Sequence, residues 1–172
     1  MSDAGDLSAL RAQMAENQDG VLEMIAEAHG VPTIEVVRHL PGHRRQFAEG
    51  TMIGDVLAEI AEWGEVLILI HTGSLVAEIM SEFPKANLGR GFYNFHGDTP
   101  FSGHLYENAC TDIAFIERPF FGRPSLAVLL FDEAGMCIFK VFVRRGSDGE
   151  LNSEQSARFV RLRERVCDQA SA

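Results

Sequence analysis

Hydrophobic positions along the chain recur first with the period of a helix and then with that of a strand, and the change falls near residue 64. Leu7, Leu10 and Met14 keep helical spacing until the polar run Asn17-Gln18-Asp19-Gly20 ends it. A second helix is expected to bury a stripe of Val21, Met24, Ile25 and Ala28 and to stop at Gly30. Thr33 is placed to cap a short third helix carrying Val36, Val37 and Leu40, which Pro41-Gly42 closes. The fourth helix has the clearest pattern, Ile53, Val56, Leu57 and Ile60, with Thr51 as cap and Gly64 as stop.

Strand signals follow. Residues 66–70 form a short β-branched run closed by Thr72-Gly73-Ser74, which predicts a buried strand ending at His71, on the same face as Leu67 and Leu69. Residues 89–96 and 103–106 read as two strands joined by the polar turn Gly97-Asp98-Thr99-Pro100, which brings His96 and His104 near each other. Alternation then puts Ile113, Phe115 and Glu117 on one face and Ala114, Ile116 and Arg118 on the other, with Arg118-Pro119 as the strand's end. Residues 125–131 and 136–144 are expected to pair as a hairpin through Asp132-Glu133-Ala134-Gly135. In the second of these, Phe139, Val141 and Val143 share one face, while Lys140 and Arg144 flank Phe142 on the other. A final helix starts at Asn152 or Ser153, buries Phe159, Leu162 and Val166, and has Gln155 placed for a capping box. The fold class is α+β: a mostly antiparallel sheet with N-terminal helices and a C-terminal helix. One domain is expected over residues 1–172, mainly helical in 1–64, antiparallel sheet in 65–145, and helical again in 152–168.

Composition narrows the functional classes. With 46% hydrophobic and 23% charged residues, 172 residues suffice for a substantial core. A net charge of -10 repels phosphate backbones and anionic lipid, and no run of Lys and Arg offsets it, so neither nucleic acid nor a membrane surface is an expected partner. The amino end, MSDAGDLSALRAQ, lacks the basic and apolar regions of a signal peptide, and no apolar stretch approaches a membrane span. A cytoplasmic location is the expectation. Cys110, Cys137 and Cys167 form no CxxC pair, which argues against structural zinc, disulfides and covalent haem. The two helices around Gly30-Val31-Pro32 have the outline of a helix-turn-helix, but the second offers only Arg38 and His39 as readers between acidic flanks. His39 and His43 are four apart, yet Pro41 and Gly42 break any helix between them, so both are expected at the surface.

The candidate chemistry lies in the central region. His71, His96 and His104, the phenol of Tyr93 and the rings of Phe92, Phe95 and Phe101 fall in a short span around one hairpin. Each histidine alone reads best as a strand residue satisfied by a backbone carbonyl. Together they supply apolar walls and nitrogen or phenolate donors, which suits a flat iron macrocycle better than a zinc ion lacking a tetrahedral ligand set. Arg118, Lys140 and Arg144 are candidates for charge-assisted bonds to that ligand's carboxylates, against the alternative of solvated strand charge.

The order WGEV, IHT, GRGFYNFHG, SGH, FIERPFFG and FKVF resembles the cytosolic haem-utilisation carrier family, the HutX/ChuX group, across nearly the whole chain. Single-domain members of that group are related to one repeat of larger cytosolic haem-trafficking proteins. The resemblance implies a haem carrier or store that accepts imported haem and passes it to a degrading enzyme or other acceptor. Haem is then non-covalent cargo. By the same resemblance His71 and His104 stand where the family places histidines implicated in haem binding, with Tyr93 as a phenolate alternative. After FKVF the family usually reads closer to a Gly-Arg-Asp run, where this chain has Val143-Arg144-Arg145-Gly146-Ser147-Asp148-Gly149-Glu150. The rival readings are a haem-degrading enzyme and a helix-turn-helix regulator. A homodimer is expected from the resemblance and from a long sheet that few helices can cover.

Overall fold

The computed structural model describes residues 7–167. Residues 1–6 of the stretch read for a targeting signal, and residue 168 of the final-helix range, lie outside the described residues. Helices α1 (Leu7–Glu16), α2 (Leu22–His29) and α3 (Thr33–Arg38) precede strand β1 (Arg45–Glu49) and helix α4 (Ile53–Ile60). Strands β2 (Glu65–His71), β3 (Val76–Glu82), β4 (Ala86–Gly89), β5 (Phe92–Phe95), β6 (Gly103–Tyr106), β7 (Asp112–Phe120), β8 (Arg123–Phe131) and β9 (Cys137–Phe142) follow, and α5 (Ser153–Cys167) closes the described chain. The expected α+β class is found. Six strands form one sheet in the order β1-β7-β8-β9-β2-β3, every pair antiparallel, and β4-β5-β6 form a second, smaller one.

The large sheet is buried on both faces because its central strand is apolar on both. Leu126, Val128 and Leu130 of β8 join a core with α4, α5 and the small sheet, while Ala127, Leu129 and Phe131 join a second core with α1, α2 and α3. Each of these Leu, Val and Phe side chains contributes about 1.5–3 kcal/mol relative to exposure. The final helix is fastened to the sheet by one residue. Asn152 Oδ1 accepts from the Gln155 N–H at 3.0 Å, the expected cap, but the Gln155 side chain does not complete the capping box. Its amide instead donates to the Trp63 and Glu65 carbonyls at 2.9 and 2.8 Å and accepts from the Arg144 N–H at 2.8 Å.

Several expectations are corrected. Strands β1 and β3 have no alternating signature in RQFAE and VAEIMSE and were not foreseen, because each is an edge strand that buries little. Gly50, after β1, passes so close to the Cys110 backbone that a Cβ there would collide with it, and its N–H donates to the Thr111 carbonyl. In α2 the buried positions are Leu22, Ile25 and Ala26, and Met24 is 63% exposed. Pro32, not the Thr33 side chain, stands at the start of α3, and Met52, not Thr51, at the start of α4. Residues 89–96 are not one strand: Arg90 and Gly91, at φ 57° and 82°, make a tight turn between β4 and β5. Strand β7 runs past Arg118 to Phe120, since Pro119 faces Pro124 across the ladder, where two residues without N–H groups fit a non-hydrogen-bonded pair. His39 is not a free surface residue, because its Nδ1 donates to the Glu35 carbonyl at 2.7 Å. The helix pair α2–α3 packs on the sheet, with Arg38 paired to Glu35 at 2.7 Å.

Candidate functional site

Side chains alternate along β2, so Val66 and Ile68 enter the first core while Leu67, Leu69 and His71 face the side of the sheet that carries α2. Register then builds a floor across strands: Met80, Leu67 and Phe142 in one row, Glu78, Leu69 and Lys140 in the next. Above this floor α2 stops short of covering β3. The result is a groove of about 340 Å³ between α2 and the sheet, bounded by His71, Met24, Val76, Phe120 and Phe121. It continues over Leu69 and Phe142 into a hollow of about 200 Å³ that ends at Arg144. Four exposed large apolar residues line these two spaces: Phe121 at 75%, Met24 at 63%, Val76 at 51% and Met80 at 44%. Exposed apolar side chains gathered along one concavity mark a binding surface.

The charges around the groove differ in availability. Arg118 is buried, and its Nη1 and Nη2 donate to the Gln18 and Gly20 carbonyls, each at 2.8 Å. Desolvation pulls its pKa down to about 10, which leaves it charged at neutral pH. Its main partners are thus backbone carbonyls of the α1–α2 loop. Lys140 is buried as well, with Nζ 2.6 Å from Glu23 Oε1 and 2.7 Å from Oε2. Arg144 is half-buried and pairs with Glu65 at 2.8 Å, an exposed ion pair that a ligand carboxylate can replace cheaply. His71 Nδ1 lies 3.2 Å from Glu23 Oε2. Glu23, on α2, was not singled out in the sequence, since 48 positions separate it from His71 and nothing in the local pattern of α2 marks it.

The other sequence candidates lie elsewhere. As expected, the hairpin turn brings His96 and His104 together, with ring centroids 6.0 Å apart. Because Asn94 pairs with His104 and Tyr93 with Leu105, His104 and Tyr93 point to opposite faces of the small sheet. His104 is exposed, its Nδ1 2.8 Å from Asn94 Oδ1, in a stripe with Phe92 and Tyr106. Tyr93 turns inward against the first core near Gly54, where burial raises its pKa and disfavours a phenolate. The hollow beside His104 is lined by Ile70, Phe101 and Phe139, on the other side of the sheet from the groove beside His71. Burial pushes the thiols of Cys110 and Cys137 up to about 11 and about 12, so both are neutral core groups. Among the described residues no three His, Cys, Asp or Glu side chains gather as a metal site.

Residues 46–162 match the family model described as Haem utilisation ChuX/HutX. The chain belongs to that family. It is 31% identical over 155 residues to the intracellular heme transport protein HutX of Vibrio cholerae, covering 89% of this chain and 80% of that one. The structure of the heme-binding protein ChuX superposes on this family member with a TM-score of 0.82 at 31% identity, over 95% of this chain and 99% of the other. Holo-PhuS, a heme-binding protein from Pseudomonas aeruginosa, shares the fold with a TM-score of 0.73 at 15% identity, over 92% of this chain but only 46% of its own. The ChuX/HutX fold thus corresponds to about half of that longer protein.

Proposed function

We propose that the protein is an intracellular haem carrier that holds haem non-covalently in the groove between α2 and the six-stranded sheet. The observation that carries this reading is an open, apolar, slot-like groove with an imidazole at one end and an exchangeable arginine at the other, in a chain of the ChuX/HutX family. Its floor and rim suit a flat apolar macrocycle, His71 offers nitrogen to the iron, and Arg144 offers a guanidinium to the propionates. Lys140 and Arg118 contribute positive potential near the groove while keeping their internal partners. Openness fits a carrier, which has to release its cargo, and His71 is the imidazole that lines the part of the groove beside α2. The names of the Vibrio relative and of ChuX support transport and binding rather than ring cleavage. The intracellular site of action is inferred from the Vibrio relative; among the described residues no helix is long and apolar enough to cross a membrane. The acceptor would be a haem-degrading enzyme or another haem protein.

We also propose a homodimer. Support comes from the edge strand β3, where Val76 and Met80 are exposed and no further strand pairs among the described residues.

Titration of the apoprotein with haemin, followed at the Soret band, should saturate near one haemin per chain. His71→Ala should shift that band and speed haemin loss roughly tenfold or more, since loss of a bond acts mainly on dissociation. If His104→Ala shifts the spectrum and His71→Ala does not, the site is the outer face of the small sheet and the groove reading is wrong. With an electron donor and catalase present, the bound haem should persist; release of iron and a linear tetrapyrrole at a catalytic rate would establish the enzyme reading instead.

A further inference from the structure

An ammonium and an imidazole sit close to one carboxylate in this fold. Glu23 lies in the first turn of α2, its side chain 13% exposed, and reaches down to the sheet between Lys140 and His71. Lys140 Nζ donates to Glu23 Oε2 at 2.7 Å and lies 2.6 Å from Oε1, so the buried ion pair holds the carboxylate down on the sheet. His71 Nδ1 then meets Oε2 at 3.2 Å. Arg118, also packed against α2's loop, is bonded to the Gln18 and Gly20 carbonyls and leaves Glu23 to the other two.

This arrangement has a chemical consequence for the imidazole. When Nδ1 carries the proton toward a carboxylate, the lone pair of the neutral ring is on Nε2. Imidazoles that ligate metals are commonly held in this way, and the carboxylate both orients the ring and raises the basicity of the ligating nitrogen. From the 3.2 Å approach, the ion-paired carboxylate and the position of His71 on the groove wall, we infer that Glu23 is the positioning residue that presents His71 Nε2 to the iron of the bound ligand. The inference rests on the groove reading above. It assigns α2 a part in ligation through a residue that touches neither iron nor macrocycle, and it gives the buried Lys140 the task of holding Glu23 in place.

The test compares haemin with metal-free protoporphyrin IX, which fills the same groove and cannot form an axial bond. Glu23→Gln keeps the shape and removes the charge. It should speed haemin release roughly 10–100-fold and raise the reduction potential of the bound iron, because a less basic imidazole stabilises ferric iron less. Release of metal-free protoporphyrin should be unchanged, and adding Glu23→Gln to His71→Ala should change nothing further. Equal effects on haemin and protoporphyrin would overturn the inference, as would additivity of the two substitutions, because Glu23 would then only shape the groove. Removing one member of a buried ion pair can unfold a protein. The double variant Glu23→Gln/Lys140→Gln, in which neither charge is left unpaired, removes that hazard, and the ratio of its haemin to protoporphyrin release rates should change as it does for Glu23→Gln alone. A changed His71→Ala spectrum with an unchanged Glu23→Gln release rate and potential defeats this inference alone; an unchanged His71→Ala spectrum defeats it together with the groove reading.

Discussion

Phe121 has a φ of 48°, in the left-handed region that disfavours a side chain, and with Gly122 at 72° it forms the two-residue turn between β7 and β8. Its ring is 75% exposed at the rim of the groove, 4.5 Å from the ring of Phe120. A strained, exposed aromatic residue contributes little to folding, so its place is understood through what it offers a ligand. Phe121→Asn should therefore raise the stability of the apoprotein by about 0.5–1 kcal/mol, as left-handed backbone suits asparagine. The same change should weaken haemin binding several-fold. Chemical denaturation and haemin titration of one preparation check both signs. A variant that lost stability, or bound haemin as before, would separate Phe121 from the groove's function.

At the scale of elements, the groove exists because α2 is held away from β3 and tied to the β7–β8 hairpin. Two contacts do this from opposite directions. Arg118 of β7 donates to carbonyls at Gln18 and Gly20, and Asp19 between them accepts from the Phe121 and Gly122 N–H groups, each at 2.7 Å. These bonds, the one from Gly122 foremost, lower the pKa of Asp19 below its ordinary value of 3.8. A carboxylate whose pKa is lowered in the folded state adds stability above the unfolded pKa and loses it as pH falls through the folded one. The clasp should therefore hold at neutral pH and open only in acid, at a pH below the ordinary carboxylate value. Asp19→Asn should be less stable than the parent at pH 7, and the difference in urea-unfolding midpoints should shrink as the pH is taken below the ordinary carboxylate value. A difference independent of pH would mean that the charge of Asp19 plays no part.

For the whole molecule, the sheet sets what the chain can do. Both faces of its centre are buried, while at the β3 side only part of one face is covered, and the groove lies there. The same uncovered edge underlies the proposed dimer, and light scattering at micromolar concentration should give twice the chain mass of 19.0 kDa. A monomer mass would remove the dimer and leave the groove intact, since every residue named in it belongs to one chain.

Periodicity by itself determined the helices, the hairpin of β8 and β9, and the division of β9 into a core face and a face bearing Lys140, Phe142 and Arg144, because burial of one side imposes a repeat that the sequence has to carry. It also marked His71 at the mouth of an apolar strand. Strands β1 and β3 were not legible, since an edge strand is selected by its partner's ladder and needs no alternation of its own. Separation of His104 and Tyr93 onto opposite faces depended on the register in which β5 and β6 pair, and Arg118's partners depended on where the α1–α2 loop crosses β7. Glu23 came to His71 and Lys140 only through packing of α2 on the sheet. Linear spacing records which side chains share a face of one element; it holds no distance between elements, and both the groove and its charge pairs are made between elements.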